Sequence, residues 1–421
     1  MMRRAIPVLW NIAVRNVLRH RKRTLITALV LSVGIGFFIL FDSMLAGMDR
    51  ITIDTAVDYD NSSVSIRTHR YQQDVSSLPL EEALASPYAI MDSLASMLPP
   101  ASSFTPRTRF HVRVANWIDE TPALAIAVDP DRDSTVFRTH TRLVEGNWVQ
   151  PGSVVLGSML AKDLGLKVGD WLILTAIRAD GSLDAMELAV GGVADLPLTS
   201  LSNQSLYLDL VDAARILGEP VPITEIDIRL PSSLTLDAMV AQAEAVATKL
   251  EAALPGIEAF SIGEASRDYL AMKNMKSKFS YVLIFVVLLI AAVGIVNTLL
   301  MSLYSRIREI GVLAAYGLEP GDIRRLFSIE GLLVGIAGSL GGILLGALLV
   351  GLLARYGISF DSLVGNADLG ALPRGVLLKG QWNPAAFVTG FLFGVAVSWL
   401  ATILPARRAS RIEVTEALRF V

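Results

Sequence analysis

The chain has 421 residues, of which 52% are hydrophobic and only 18% charged; its mean hydropathy is +0.51 and it contains no Cys. Soluble domains carry about 25% charge and disordered chains are poor in apolar residues, so much of this chain is solvated by something other than water, and low-complexity disorder is excluded. The lack of Cys excludes a disulfide-stapled fold, thiolate zinc and iron–sulfur sites and a Cys nucleophile, while the net charge of −3 hides a strong asymmetry along the chain.

Residues 1–23 hold seven Lys/Arg and no acid. From Trp10 to Arg19 apolar and basic positions alternate at helical spacing, which predicts an amphipathic helix on the inner membrane surface. This basic stretch is too long and too helical for a cleaved signal peptide and reads as a retained anchor. A first transmembrane helix is expected over 24–48, since about 20 apolar residues cross a bilayer. Its one charge, Asp42, reads as a helix-end group reaching water.

Residues 49–263 read as an α+β extracytoplasmic domain. Strands are expected at 63–68, 110–117, 123–128, 171–177 and 226–230, where short apolar runs lie between turn signals. Helices are expected over 80–98 and 235–254, the latter with Leu236, Met239, Ala243, Val246 and Leu250 on one face. The acidic run Asp129-Pro130-Asp131-Arg132-Asp133 lacks the glycine and terminal Glu of a calcium loop and is expected to be a solvated turn. The four His are not spaced as metal ligands, and neither H-E-x-x-H nor a G-x-S-x-G elbow is present. No catalytic residue and no metal site is assigned.

A stalk helix is expected over 264–278, then a second span over 279–303. A cytoplasmic loop follows at 304–327, a third span at 331–354, an outer loop at 355–384, a fourth span at 385–404 and a cytoplasmic tail at 405–421. No acid lies mid-membrane, so a proton- or sodium-coupled carrier has little support. The three segments 1–23, 304–327 and 405–421 together carry fifteen Lys/Arg against five acids, net +10, whereas 49–278 is net −12. Lys/Arg-rich short segments stay in the cytoplasm. Both termini are therefore expected inside the cell inner membrane and the large insert outside. The same topology accounts for the basic segments without nucleic acid.

Glycines in span three lie at Gly331, Gly335, Gly338, Gly342 and Gly346, with 331/335, 338/342 and 342/346 each four apart, and span four has Gly390 and Gly394 at the same spacing. Small residues at that spacing let helices approach closely in lipid. Packing of span three on span four and a dimer seam both fit this pattern.

Between spans two and three, Ile307, Ile310 and Ala314 repeat at helical spacing and Gly317 is a helix stop. This predicts a short cytoplasmic helix, suited either to a groove on another protein or to the lipid surface. The stretch Asn297-Thr298-Leu299 … Arg306-Ile307-Arg308-Glu309-Ile310-Gly311-Val312-Leu313-Ala314-Ala315-Tyr316-Gly317 resembles the signature of the FtsX-like/MacB-type ABC transporter permease family. So do the segments 13–24 and 405–419, and 146–170 is similar to the MacB-like periplasmic core domain. The layout most resembles the lipoprotein-releasing, LolC/LolE-type permeases.

The resemblance implies a non-catalytic membrane subunit: four transmembrane helices, with the periplasmic core inserted between the first and second. It implies mechanotransmission, in which a separate ATPase subunit dimer binds ATP. G-x-x-x-x-G-K-[ST] is absent from this chain, and no cofactor of its own is expected. A second permease subunit, self or paralogue, would complete the assembly. The cargo would be a lipoprotein or similar hydrophobic molecule, passed to a periplasmic carrier. MacB-like efflux of peptides or amphipathic drugs, and FtsX-like regulation of a cell-wall hydrolase, stay open. Carried over residue by residue, ATPase coupling falls on Arg308, Glu309, Gly311, Ala314 and Gly317, with the charges giving complementarity and the small residues close approach.

Overall fold

In the computed structural model, residues 2–19, 21–232, 235–305, 307–316, 318–359 and 376–411 are described. The chain forms two compact units. One comprises Met1–Met48, Met272–Ile358 and Leu378–Val421; the other comprises Asp49–Ala271 and Ser359–Leu377. Two helices open the chain, α1 (Met2–Arg19) and α2 (Arg21–Tyr59). The helix α2 continues well past Met48, because Ile53 and Val57 extend an apolar stripe at i, i+4 spacing and are buried.

The second unit is built on ten strands: β1 (Val64–Thr68), β2 (Ser103–Ala115), β3 (Glu120–Val128), β4 (Leu143–Gly146), β5 (Ser153–Gly157), β6 (Trp171–Ile177), β7 (Leu183–Ala194), β8 (Ser205–Asp209), β9 (Glu225–Arg229) and β10 (Ile257–Ser261). They pair in the order β10-β1-β9-β2-β3-β8-β5-β7-β4, with β6 bonded to β2 and β7. The β3–β8 and β5–β7 pairs are parallel and the rest antiparallel. The helices are α3 (His69–Gln73), α4 (Pro87–Met97), α5 (Pro130–Val136), α6 (Ser158–Asp163), α7 (Thr199–Gln204), α8 (Leu210–Leu217), α9 (Leu236–Ala253) and α10 (Ile262–Ala265).

The helix expected over 80–98 is shorter than its sequence pattern. Only a 3-10 turn forms at Leu80–Glu82, and α4 begins at Pro87. Proline has no amide hydrogen to give and crowds the preceding turn, but fits the first helical turn. The helix α9 begins where expected, with the Thr235 side chain accepting from the Ala238 amide at 3.3 Å.

Among the described residues three apolar clusters support the sheet, one of them gathering Tyr59, Ile126, Val155 and Tyr207. Another gathers Phe110, Val112, Leu156, Leu172 and Leu206. The third gathers Ile66, Leu94, Ile226, Ala243 and Leu250. The helix α11 (Arg267–Ser305) starts in this unit and ends in the first.

The first unit is completed by α12 (Ile307–Ala315), α13 (Pro320–Tyr356), α14 (Pro384–Ala401) and α15 (Ile403–Ala409). Among the described residues, four helical stretches are long and apolar enough to cross a membrane: Thr24–Tyr59, Arg267–Ser305, Pro320–Tyr356 and Pro384–Ala409. Asp42 does not simply face water: its carboxylate accepts from the Asn383 side-chain amide at 2.8 Å.

Candidate functional site

The apolar positions of α12 point inward. Ile310 packs with Leu303 of α11, Ile323 and Phe327 of α13 and Ala406 of α15. Ile307 is also buried. Gly311 is buried too, and Ala314 lies at the edge of this cluster. Close approach at these two small residues is therefore to the chain's own helices. Gly317 and Arg306 lie outside the described residues, as do 360–375 of the outer loop and 412–421 of the tail.

The outward face of α12 carries Arg308, Glu309 and Val312, and Tyr316 stands just past its end, 85% exposed. Residues 308, 312 and 316 are successive i+4 positions, so they form one stripe. Sequence reading named the charges and passed over Val312 and Tyr316, although that spacing was available. Arg19 of α1 donates to Glu309 at 3.5 Å. Both side chains are exposed, so the pair contributes little stability, but it sets the end of α1 beside the stripe.

The helix α1 is amphipathic as expected; part of its apolar surface is covered by protein, while Trp10 and Leu18 stay exposed. Leu9 and Ala13 pack on Leu326 of α13. Asn16 donates to the buried Glu330 carboxylate at 2.7 Å.

The glycine stripe of α13 is shared between two neighbours. A Cβ at Gly331 would collide with Thr402, and one at Gly335 would lie 2.7 Å from the Ser398 Cβ of α14. At Gly338, Gly342 and Gly346 the obstacles are instead Leu31, Ile35 and Ile39 of α2, at 2.8, 2.6 and 2.9 Å. On α14, Gly390 and Gly394 also face Ile35. The faces that suggested a seam are thus filled within the chain, by span one as well as by span four.

In the second unit, the end of α2 is gripped by arginines. Asp58 is paired with Arg229 and, at 3.5 Å, with Arg138. The Tyr59 hydroxyl accepts from Arg142 at 3.1 Å. Asp60 is paired with Arg109 at 2.8 Å, and its carbonyl accepts a further bond from the same guanidinium. Cations at a helix C-terminus also meet the negative end of its dipole.

This grip continues into a buried ionic row. Register pairs Ser65 of β1 and Thr105 of β2 with Asp227 of β9, and Arg107 with Glu225. Side chains two apart share a strand face, so Arg67, Glu225, Asp227, Arg107 and Arg109 all lie on one face of the sheet. Glu225 accepts from Arg67 at 2.8 Å and from Arg109 at 2.6 Å. Arg107 is fully buried, pairs with Asp133 at 2.7 Å and stacks 3.3 Å from the centre of the Phe137 ring.

Asp133 belongs to the acidic run expected to be a solvated turn. The structure corrects this: Asp129 caps α5, Pro130 starts it, and Asp133 turns inward to Arg107. Burial alone would raise the Glu225 carboxyl, but Arg109 and Arg67 outweigh it and hold it at about 2. Asp227 accepts from Ser62 at 3.1 Å and from Ser65, yet burial and the neighbouring Glu225 push it up to about 6. Sequence reading missed this row entirely.

Among the described residues no cluster of His, Asp or Glu is disposed to hold a metal ion.

Comparison with known proteins follows these divisions. Residues 24–246 match the family described as MacB-like periplasmic core domain, and residues 281–414 match FtsX-like permease C-terminal. The chain is 25% identical over 318 residues to the lipoprotein-releasing system transmembrane protein LolC of Xylella fastidiosa, covering 71% of this chain and 73% of that one. It is 27% identical over 304 residues to LolE of Haemophilus influenzae, covering 65% and 68%. It is 31% identical over 291 residues to the macrolide export ATP-binding/permease protein MacB of Hyphomonas neptunium, covering 64% of this chain and 41% of that relative.

Proposed function

Because this chain belongs to the MacB-like, FtsX-like family of ABC transporter permeases, we propose that it is the inner-membrane subunit through which a separate ATPase drives release of lipoproteins from the membrane. The observation that carries the ATPase part is the α12 stripe. Its inner face is anchored by Ile310 among three other helices, while Arg308, Val312 and Tyr316 stand outward on a rigid base. An exposed aromatic in line with an aliphatic and a charged residue is a docking anchor in search of a pocket. The basic segments around it keep this face, and both termini, in the cytoplasm.

Force would leave this face by the two helices α2 and α11, each of which begins in one unit and ends in the other. At its far end α2 is held by Arg109, Arg138, Arg142 and Arg229. A helix gripped in this way can pull on the sheet instead of fraying from it. A second permease subunit would have to pack away from the glycine stripe, which is already filled; α11 leaves Phe285, Leu289 and Val293 exposed to lipid or to such a partner.

Lipoprotein release is preferred as the activity because the LolC and LolE relatives align over about two thirds or more of both chains. The test has two arms. Glu309→Lys and Tyr316→Ala in the full chain should each lower recovery of the ATPase at least tenfold without loss of membrane insertion; unchanged recovery would overturn the docking role. Depleting the chain in cells should strand lipoproteins in the inner membrane. Normal lipoprotein sorting with new macrolide sensitivity would replace this cargo with the one named for the MacB relative.

A further inference from the structure

Around its axis α1 has three faces rather than two. Leu9, Ala13 and Asn16 turn toward α13. Trp10, Val14 and Leu18 follow one another at i+4 spacing and form a second apolar stripe beside the first. Trp10 is 42% and Leu18 68% exposed, so the chain itself leaves much of this stripe uncovered. Arg15 and Arg19 lie one position further round, again four apart, and both are exposed. Arg21 and Lys22 stand exposed just beyond them.

Charge and continuity decide what covers the second stripe. Residues 1–23 carry seven Lys/Arg and no acid, which selects an anionic surface. Within a few residues the chain enters the first span, where Leu25, Ile26 and Leu29 are each more than half exposed. Apolar side chains bared on a membrane-crossing helix meet lipid. An indole and a leucine flanked by guanidiniums, at the foot of such a span, match the headgroup level: the apolar groups enter the acyl boundary and the cations stay with the phosphates.

Arg19 is only lightly committed within the protein. Its contact with Glu309 of α12 is 3.5 Å long, and the two side chains are 69% and 50% exposed. A phosphodiester offers a guanidinium two oxygens that match its fork, a stronger partner than one exposed carboxylate at that distance. A zwitterionic headgroup would bring its own cation up to the same arginines.

We propose that α1 carries a binding site for an anionic phospholipid, with acyl chains against Trp10 and Leu18, the phosphate on Arg15 and Arg19, and Arg19 shared between the headgroup and Glu309. The site lies within the first unit and depends on neither the ATPase nor the cargo.

The chain has no Cys, so Leu18→Cys gives the full chain a single nitroxide position. In nanodiscs of equimolar phosphatidylcholine and phosphatidylglycerol, that nitroxide should be relaxed by oxygen in preference to a water-soluble nickel chelate. The opposite preference would place the stripe in water and overturn the proposal. Native mass spectrometry of the full chain in neutral detergent should show phosphatidylglycerol retained over phosphatidylcholine of the same acyl chains. Joint replacement of Arg15, Arg19 and Arg21 by Gln should weaken that retention about fivefold for each charge removed. The same three changes to Lys should preserve it, and an unchanged melting temperature reports that the Gln variant is folded. Joint replacement of Arg407, Arg408 and Arg411 by Gln, which lowers the net charge equally, should leave retention unchanged. Equal retention of the two lipids, or equal losses in the two Gln variants, would overturn the site. Glu309→Gln should raise phosphatidylglycerol binding about twofold, the scale of an exposed pair, and should do so only while Arg19 is present. Any other pattern in that pair of backgrounds would overturn the sharing of Arg19.

Discussion

The Tyr269 hydroxyl of α11 donates to the Asp49 carboxylate of α2 at 2.7 Å. The two residues lie 220 positions apart, and they join the two helices that pass between the units. Asp49 is buried, so this bond is shielded from competing water. Tyr269→Phe removes the hydroxyl that donates to Asp49 and also meets the Thr52 side chain. It should cost about 1 kcal/mol, read as a lower melting temperature of the full chain. Faster amide exchange is expected near 49–53 and 267–270. Recovery of the ATPase should not change, because α12 is untouched.

Glu225 is the hinge of the ionic row, since Arg67 and Arg109 both depend on it. Glu225→Gln takes the counter-charge from the buried Arg67 and leaves Arg109 with Asp60 alone. Breaking a buried pair by removing one partner costs about 3–5 kcal/mol. A large drop in melting temperature is expected, well beyond that from Glu120→Gln, whose pair with Arg113 is exposed. Equal effects of the two substitutions would mean that the row carries no stability.

The contrast between these sites explains what the sequence could and could not disclose. Four apolar runs, the alternation in 226–230 and 171–177, and the stripe of α9 are local patterns with one physical reading, so they were legible. The extension of α2 to Tyr59 was hidden because the apolar run ends near Met48 while the helical stripe of Ile53 and Val57 goes on. The ionic row was hidden for a stronger reason. Val64-Ser65-Ile66-Arg67 and Glu225-Ile226-Asp227-Ile228 alternate as strands with one wet face would. Only the fold brings both polar faces together with Arg107 and Arg109 and closes them off. The inward turn of Asp133 likewise depends on Arg107, 26 positions away. On α12 the helix itself was legible. The sidedness that turns Gly311 inward and leaves Val312 and Tyr316 exposed required knowing which helices flank it.

Glycine substitutions in α13 set two effects against each other. Replacing a helix glycine by alanine gains about 1 kcal/mol of propensity, and overpacking costs about 1–3 kcal/mol. At Gly342 a Cβ would lie 2.6 Å from the Ile35 Cβ, an atom that no rotamer change can move. Overpacking should win, and Gly342→Ala should destabilise the membrane unit. At Gly351 the nearest obstacle is Trp382, at 3.8 Å. Propensity should win there, leaving Gly351→Ala neutral or slightly more stable. Detergent melts of the two variants side by side decide the sign.

Asp227 and Glu225 should give the second unit opposite responses to pH. Glu225 is held at about 2, below its ordinary 4.5. The stability it contributes is present above pH 4.5 and is lost as the pH falls toward 2. Asp227 is raised from 3.8 to about 6. Its native form binds the proton more tightly than the unfolded chain does, so its contribution is full below pH 3.8 and is lost as the pH rises through 6. Asp227→Asn removes only the second response. The amide oxygen can still accept from Ser62 and Ser65, and no hydrogen bond is given up at Oδ2, which has none. The variant should therefore match wild type near pH 4 and exceed it at pH 8 by about 1–3 kcal/mol, the scale of two pKa units. Melting curves at the two pH values measure this. A gain that is as large at pH 4 as at pH 8 would assign the effect to packing, and a loss at pH 8 would mean that Arg107 and Arg109 require the Asp227 charge.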